Sequence, residues 1–183
     1  GIVTVSRAQG SLQFPAQFLL IAAQNPCPCG YQSDPERDCN CSPTQILRYQ
    51  KRISGPLLDR IDIHIEVPRI KYEKLAKEEK SESSKSVRER VVKAREIQTE
   101  RFLNSKIKAN SEMRSKDIKS FCRLSPEAEK IIGLAVDRMR MSARVYHRTL
   151  KIARTIADLV GAETIAEEHI KEAIHYRPKE KKY

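Results

Sequence analysis

Cys27, Cys29, Cys39 and Cys41 fall within fifteen positions, and the fifth cysteine, Cys122, stands alone. Their spacing is C-x-C, nine residues, C-x-C, with Gly30 after the first pair and Asp34, Glu36 and Asp38 between the pairs. Four thiolates so placed can surround one Zn²⁺ tetrahedrally and fasten an otherwise irregular loop. Structural zinc sites use C-x₂-C more often, so reduced metal-free thiols and disulfides stay open as readings of the same cluster. A catalytic zinc fits less well, because four cysteines leave no open coordination position. Other chemistry is sparse. No glycine is followed by lysine, so the phosphate-cradling G-x-x-x-x-G-K-[ST] loop is absent from this stretch, and the four histidines, spread from position 64 to 175, form no nucleophile–base pattern.

The elements that must carry these residues follow from patterning. Two β-prone runs, residues 2–6 and 11–14, flank Arg7-Ala8-Gln9-Gly10 and predict a hairpin whose turn uses the glycine. Residues 18–23 are short and apolar on both faces, as expected of a strand buried in a parallel sheet, and they end at Gln24-Asn25-Pro26. Ser42-Pro43-Thr44-Gln45 predicts a capped helix to about Arg52, which Ser54-Gly55-Pro56 breaks before one more short turn. Ile61, Ile63, Ile65 and Val67 alternate with Asp62, His64 and Glu66, a strand pattern that leaves His64 as a surface residue. Residues 70–86 are mainly Lys, Glu and Ser and read as a linker.

Helices follow. Ser86 is expected to cap one that buries Val87, Val91 and Ala94, and Ser125-Pro126 to open one that buries Ala128, Ile131, Ile132 and Ala135. Ser142 caps the strongest pattern, Tyr146, Thr149, Ala153, Ile156 and Val160, before Gly161 stops it. Thr164 with Glu167 forms a capping-box pattern for a last helix to about Tyr176, and a Lys-rich tail follows. The expected organisation is therefore α/β for residues 1–69, a linker at 70–86 and an all-α part at 87–183.

Charge separates the same parts. The chain carries 35 Lys+Arg and 24 Asp+Glu, a formal +11; residues 1–69 hold 7 basic and 6 acidic side chains, which leaves 28 and 18, or +10, for residues 70–183. Such an excess draws polyanions such as nucleic acid or anionic lipid. The longest apolar run is six residues, against the roughly 20 that span a bilayer, so no membrane span is expected and the location expected is cytoplasmic.

Longer segments carry more information. The apolar run with Asn25-Pro26-Cys27-Pro28-Cys29-Gly30, then Ser54-Gly55-Pro56-Leu57-Leu58-Asp59-Arg60-Ile61-Asp62, closely resembles the magnesium-chelatase-like AAA+ ATPases of the ComM/YifB type. Ser142-Ala143-Arg144-Val145-Tyr146-His147-Arg148, Ala153-Arg154-Thr155-Ile156-Ala157-Asp158-Leu159 and residues 169–177 extend the likeness in the family's order.

The resemblance implies a partial AAA+ α/β core with a hairpin insertion, followed by a helical lid. Asn25 matches sensor 1, which helps position the water that attacks the γ-phosphate. Arg60 matches the arginine finger, which reaches the neighbouring subunit's nucleotide. Arg144 matches sensor 2. Each has a plain structural reading too: a turn-forming Asn, an Arg paired with Asp59 or Asp62, and a helix-surface Arg. The hairpin matches an insertion that faces a ring's pore, where Arg7 and Gln9 would touch a phosphate backbone.

ATP and Mg²⁺ are the implied cofactors, a homo-oligomeric ring, as a hexamer, the implied assembly, and DNA the expected polymer. The chain opens without Met, and the motifs that bind and cleave ATP are expected before Gly1, so this stretch alone is expected to be inactive. Two alternatives stand beside this reading: the motor subunit of a metal-insertion chelatase acting on a protein partner, and a stand-alone zinc-stabilised nucleic-acid-binding module.

Overall fold

Only Ala8 and Gln9 separate β1 (Ile2–Arg7) from β2 (Gly10–Pro15), and the strands pair antiparallel from Ile2 opposite Pro15 to Arg7 opposite Gly10. Gly10 sits at φ +143°, where a side chain would be strained. Val3 faces Phe14 and Val5 faces Leu12 on one side of the ribbon; Thr4 with Gln13 and Ser6 with Ser11 occupy the other. The computed structural model describes residues 1–32, 34–70 and 81–178, in two compact units, Gly1–Arg52 and Ile53–Tyr183.

The rest of the first unit is an irregular segment and one helix, α1 (Pro43–Gln50). Ser42 caps it as the sequence predicts: Ser42 Oγ accepts from Gln45 N–H at 3.3 Å, and Gln45 Oε1 accepts from Ser42 N–H at 2.9 Å. Residues 18–23 do not form the expected strand. They run as irregular chain with Leu19 and Ile21 each 85% exposed. An extended backbone becomes a strand only when a neighbour accepts and donates its hydrogen bonds, and among the described residues none pairs with this segment. The same reason corrects the expectation for residues 61–67, which are irregular as well.

The second unit begins with the four-residue α2 (Gly55–Leu58) and continues, beyond residues 71–80, into a bundle: α3 (Ser84–Arg101), a 3₁₀ turn at Asn110–Glu112, α4 (Ser115–Phe121), α5 (Pro126–Arg138), α6 (Ala143–Leu159) and α7 (Glu167–His175). Helix α3 starts one turn earlier than expected, since Ser83, not Ser86, is the cap; Val87 and Val91 stay exposed while Ala94 and Gln98 are buried. Ser125 and Ser142 cap α5 and α6 as predicted. Helix α7 is capped at Ala166, two residues later than expected, with Ala166 N–H donating to His169 Nδ1 at 3.0 Å. The linker expected at residues 70–86 and the Lys-rich tail fall largely outside the described residues.

The core gathers Phe102, Met113, Ile118, Cys122, Ala128, Ile132, Leu150, Ala153, Ile156, Ala157, Ile165, Ile170 and Ala173, with α6 at its centre. Val160, expected in this core, is instead the exposed residue that ends α6. Gly161 follows at φ +71°, and Ala162 N–H donates to Ala157 O and Gly161 N–H to Asp158 O, the paired bonds that close a helix through a left-handed glycine.

A polar network is sealed in beside these side chains. Asp158 takes bonds from Arg101 through both oxygens, from Arg154 Nε at 3.0 Å and from Asn110 Nδ2 at 2.7 Å, and Arg154 also donates to the carbonyls of Ala162 and Glu163. Arg154 and Asp158 are 1% and 2% exposed, so the charges depend on one another for solvation.

Candidate functional site

In the first unit the backbone turns sharply at Cys27-Pro28-Cys29-Gly30. Gly30 N–H donates to Cys27 O at 3.0 Å, and Gly30 adopts φ +86°, a conformation that favours glycine. The turn brings Cys27 Sγ and Cys29 Sγ to 3.3 Å; Cys39 Sγ lies 3.7 Å from the first and 3.5 Å from the second, and all four sulfurs, with Cys41, lie within 4.8 Å of one another. A tetrahedral zinc with bonds of about 2.3 Å sets its sulfurs about 3.8 Å apart, so the donor set fits that ion in number, type and size. None of the cysteines is in a disulfide.

Neighbouring groups shape this loop. Asp34 Oδ1 accepts from the backbone N–H of Glu36 at 2.8 Å and of Arg37 at 3.1 Å, which folds the stretch between the cysteine pairs. Gln50, at the end of α1, donates through Nε2 to Pro26 O at 3.1 Å, so the helix holds the chain just before Cys27. The Tyr31 backbone N–H, with Cys27 Sγ, draws the Cys29 thiol down to about 6. Cys39 and Cys41 each accept a backbone N–H that favours the thiolate, yet burial and the adjoining sulfurs push Cys39 up to about 12 and Cys41 upward too. Crowded sulfurs resist sharing negative charge, and a cation among them removes that resistance.

Asn25 is exposed two residues before Cys27, and its Nδ2 lies 3.9 Å from where a Cβ on Gly30 would stand. Arg7 and Gln9 are exposed at the end of the hairpin.

Arg60 and Arg144 belong to the second unit, and both are exposed. Arg60 follows α2 and donates through Nη1 to Pro56 O at 2.6 Å. Of the two acids that sequence offered as its partner, Asp62 is engaged elsewhere, its Oδ1 meeting Arg148 Nη1 at 3.1 Å, and the Asp59 carboxylate acts on Arg177; the same Arg148 nitrogen lies 3.1 Å from Asp59 O. Arg144 stands in the first turn of α6, where the helix macrodipole disfavours a cation and favours an anion. His64, expected on the surface, is half-buried instead. Its N–H donates to Tyr176 O at 2.8 Å, and Nε2 lies 3.2 Å from Leu58 O.

Arg177 is buried nearby. Burial lowers its pKa, the Asp59 carboxylate opposes that shift, and its Nη1 has no hydrogen-bond partner among the described residues. Sequence reasoning passed over Arg148, Gln50 and Arg177. Arg148 had one available signal, its place four residues after Arg144; the others had none, because their partners are 18 or more residues away in the chain.

Comparison with known proteins places this arrangement. Residues 1–75 match the family described as magnesium chelatase, subunit ChlI, and residues 81–177 match its C-terminal family, so the chain belongs to the magnesium-chelatase family. Within it, the chain is similar to competence protein ComM of Haemophilus influenzae, 43% identical over 97% of this chain and 34% of that protein. It is also similar to uncharacterized protein YifB of Escherichia coli, at 39% over 97% and 34%, and to an uncharacterized Mycobacterium tuberculosis protein, at 33% over 97% and 35%. The chain thus spans about a third of the length of these relatives. Among the described residues no helix is long and apolar enough to cross a membrane.

Proposed function

We propose that this chain completes the nucleotide site of a ring-forming, magnesium-chelatase-like AAA+ ATPase that acts on DNA. Asn25 serves as sensor 1, Arg60 as the finger offered to the next subunit's ATP and Mg²⁺, and Arg144 as sensor 2. The observation that carries this reading is the state of Arg60. It is exposed, it spends only Nη1 on the Pro56 carbonyl, and the Asp62 carboxylate two residues on is taken by Arg148, so the rest of its guanidinium is left for an anion outside the chain. Arg144 supports the reading in the same way, as a cation held at a helix start where a phosphate would relieve it.

The four cysteines hold a structural zinc that fastens the chain directly after Asn25. The formal +10 on residues 70–183 favours a nucleic-acid polymer, and Arg7 and Gln9 on the hairpin add phosphate contacts that carry no sequence preference.

The test uses the full-length protein. Arg60→Ala should leave ATP binding nearly intact and lower hydrolysis strongly, because a finger acts on charge that develops in the transition state; comparable arginines are worth roughly 10³ to 10⁵ in GTPases. Mixed with wild type, Arg60→Ala subunits should depress activity by more than their dilution, since each spoils a neighbour's site. Strictly proportional loss would overturn the role of Arg60. DNA should stimulate hydrolysis in a salt-sensitive way; stimulation by a protein partner alone would favour a chelatase motor.

A further inference from the structure

We propose that Arg148 is a positioning residue that ties the peptide from which Arg60 projects to the helix that carries Arg144, so that the two nucleotide-facing arginines move as one body. The inference rests on the reading of Arg60 and Arg144 given above.

Arg148 Nη1 grips the loop on both sides of Arg60: it lies 3.1 Å from the Asp59 carbonyl, which belongs to the peptide bond leading into Arg60, and 3.1 Å from Asp62 Oδ1. Arg144 and Arg148 stand four apart on α6 and so share one helix face. The helix is a stiff support, because Thr149, Leu150 and Ala153, immediately beyond Arg148, are buried in the bundle. A second fastening lies at His64, where the N–H meets Tyr176 O at 2.8 Å and Nε2 lies 3.2 Å from Leu58 O, so the loop from 58 to 64 is closed on itself and pinned at the end of α7. Arg177 adds its charge behind Asp59 and Asp62. A bracing arginine of this kind matters through geometry: displacing a reacting group by about 1 Å can cost roughly 10² in rate. The Arg148–Asp62 pair is too exposed, at 26% and 58%, for its loss to unfold the bundle.

Two measurements test this. In the 183-residue chain, Arg148→Ala and, independently, Asp62→Asn should speed amide hydrogen exchange over residues 59–64 by about tenfold or more, with the amides of α6 beyond residue 149 unchanged. In full-length rings, Arg148→Ala should lower kcat by about 10 to 100-fold with little change in the KM for ATP. Arg148→Lys, which keeps a donor, should recover part of that loss. The double variant Arg60→Ala/Arg148→Ala should be no worse than Arg60→Ala alone, since a support has no effect once the group it supports is gone.

Unchanged exchange at 59–64, or losses that multiply in the double variant, would overturn the proposal. Full activity in Arg60→Ala would instead overturn the finger itself, and the coupling with it, while the exchange data would still report whether the clasp exists.

Discussion

The two units hold their shapes by different means. In residues 53–178 a continuous apolar core surrounds α6, and even its charged groups, Arg154 and Asp158, are sealed in. Among the described residues of the first unit, Cys27 alone is buried. Its order comes from a hairpin ladder, one capped helix and a cluster of sulfurs. A segment without a hydrophobic core depends on local links, and such links can be removed one at a time. A packed core fails as a whole.

Metal removal should break that contrast most visibly. Protein purified without chelator is expected to carry about one zinc per chain, and chelation or Cys27→Ser should disorder residues 26–42 while the helical signal of the bundle and its melting stay in place. Structural zinc sites in small domains are worth roughly 10 to 16 kcal/mol, so the local effect should be large. Metal analysis with residue-resolved exchange decides it; substoichiometric metal and unchanged protection in the loop would refute it.

The reverse experiment is Asp158→Ala. It leaves Arg101 and Arg154 facing each other without a counter-charge, a change that costs about 3 to 5 kcal/mol at buried pairs. The bundle should melt far earlier with metal content unaltered, and a change of under 1 kcal/mol in denaturant unfolding would contradict this account.

A smaller effect comes from pH. Burial pushes the Cys122 thiol up to about 11, against the help that Arg154 and Arg101 give its thiolate. The folded pKa lies above the ordinary thiol value of about 9, so the stabilisation is complete below about pH 9 and is lost as pH rises through 11. The bundle should lose on the order of 2 to 3 kcal/mol between those limits, and Cys122→Ala should flatten that part of the profile. Equal alkaline loss with and without the thiol would remove Cys122 as the cause.

What the sequence disclosed divides along the same line. Ser42, Ser125, Ser142 and Gly161 act through neighbours within five residues, and each does what its type and place predict. The cysteine cluster was legible because its members stand in pairs. The two expected strands failed because apolar patterning, continuous at 18–23 and alternating at 61–67, states which faces a strand would bury and says nothing about which backbone would pair with it. The Arg148 clasp spans 89 positions to Asp59, and no local pattern encodes such a contact. The caps of α3 and α7 lie within one turn of the positions the sequence pattern predicts, where several serines, or a threonine and an alanine, compete for the cap.

The hairpin limits how its sequence can vary. Val3, Val5, Leu12 and Phe14 occupy one face and Thr4, Ser6, Ser11 and Gln13 the other because strand positions alternate with period two. Gaining or losing one residue within either strand would exchange the faces of every position between that point and the strand's outer end, unless a bulge absorbed it. Lengthening the Ala8-Gln9 connection disturbs neither face. Over evolutionary time, related hairpins should therefore differ in length at their tips and keep their strands free of single-residue insertions and deletions.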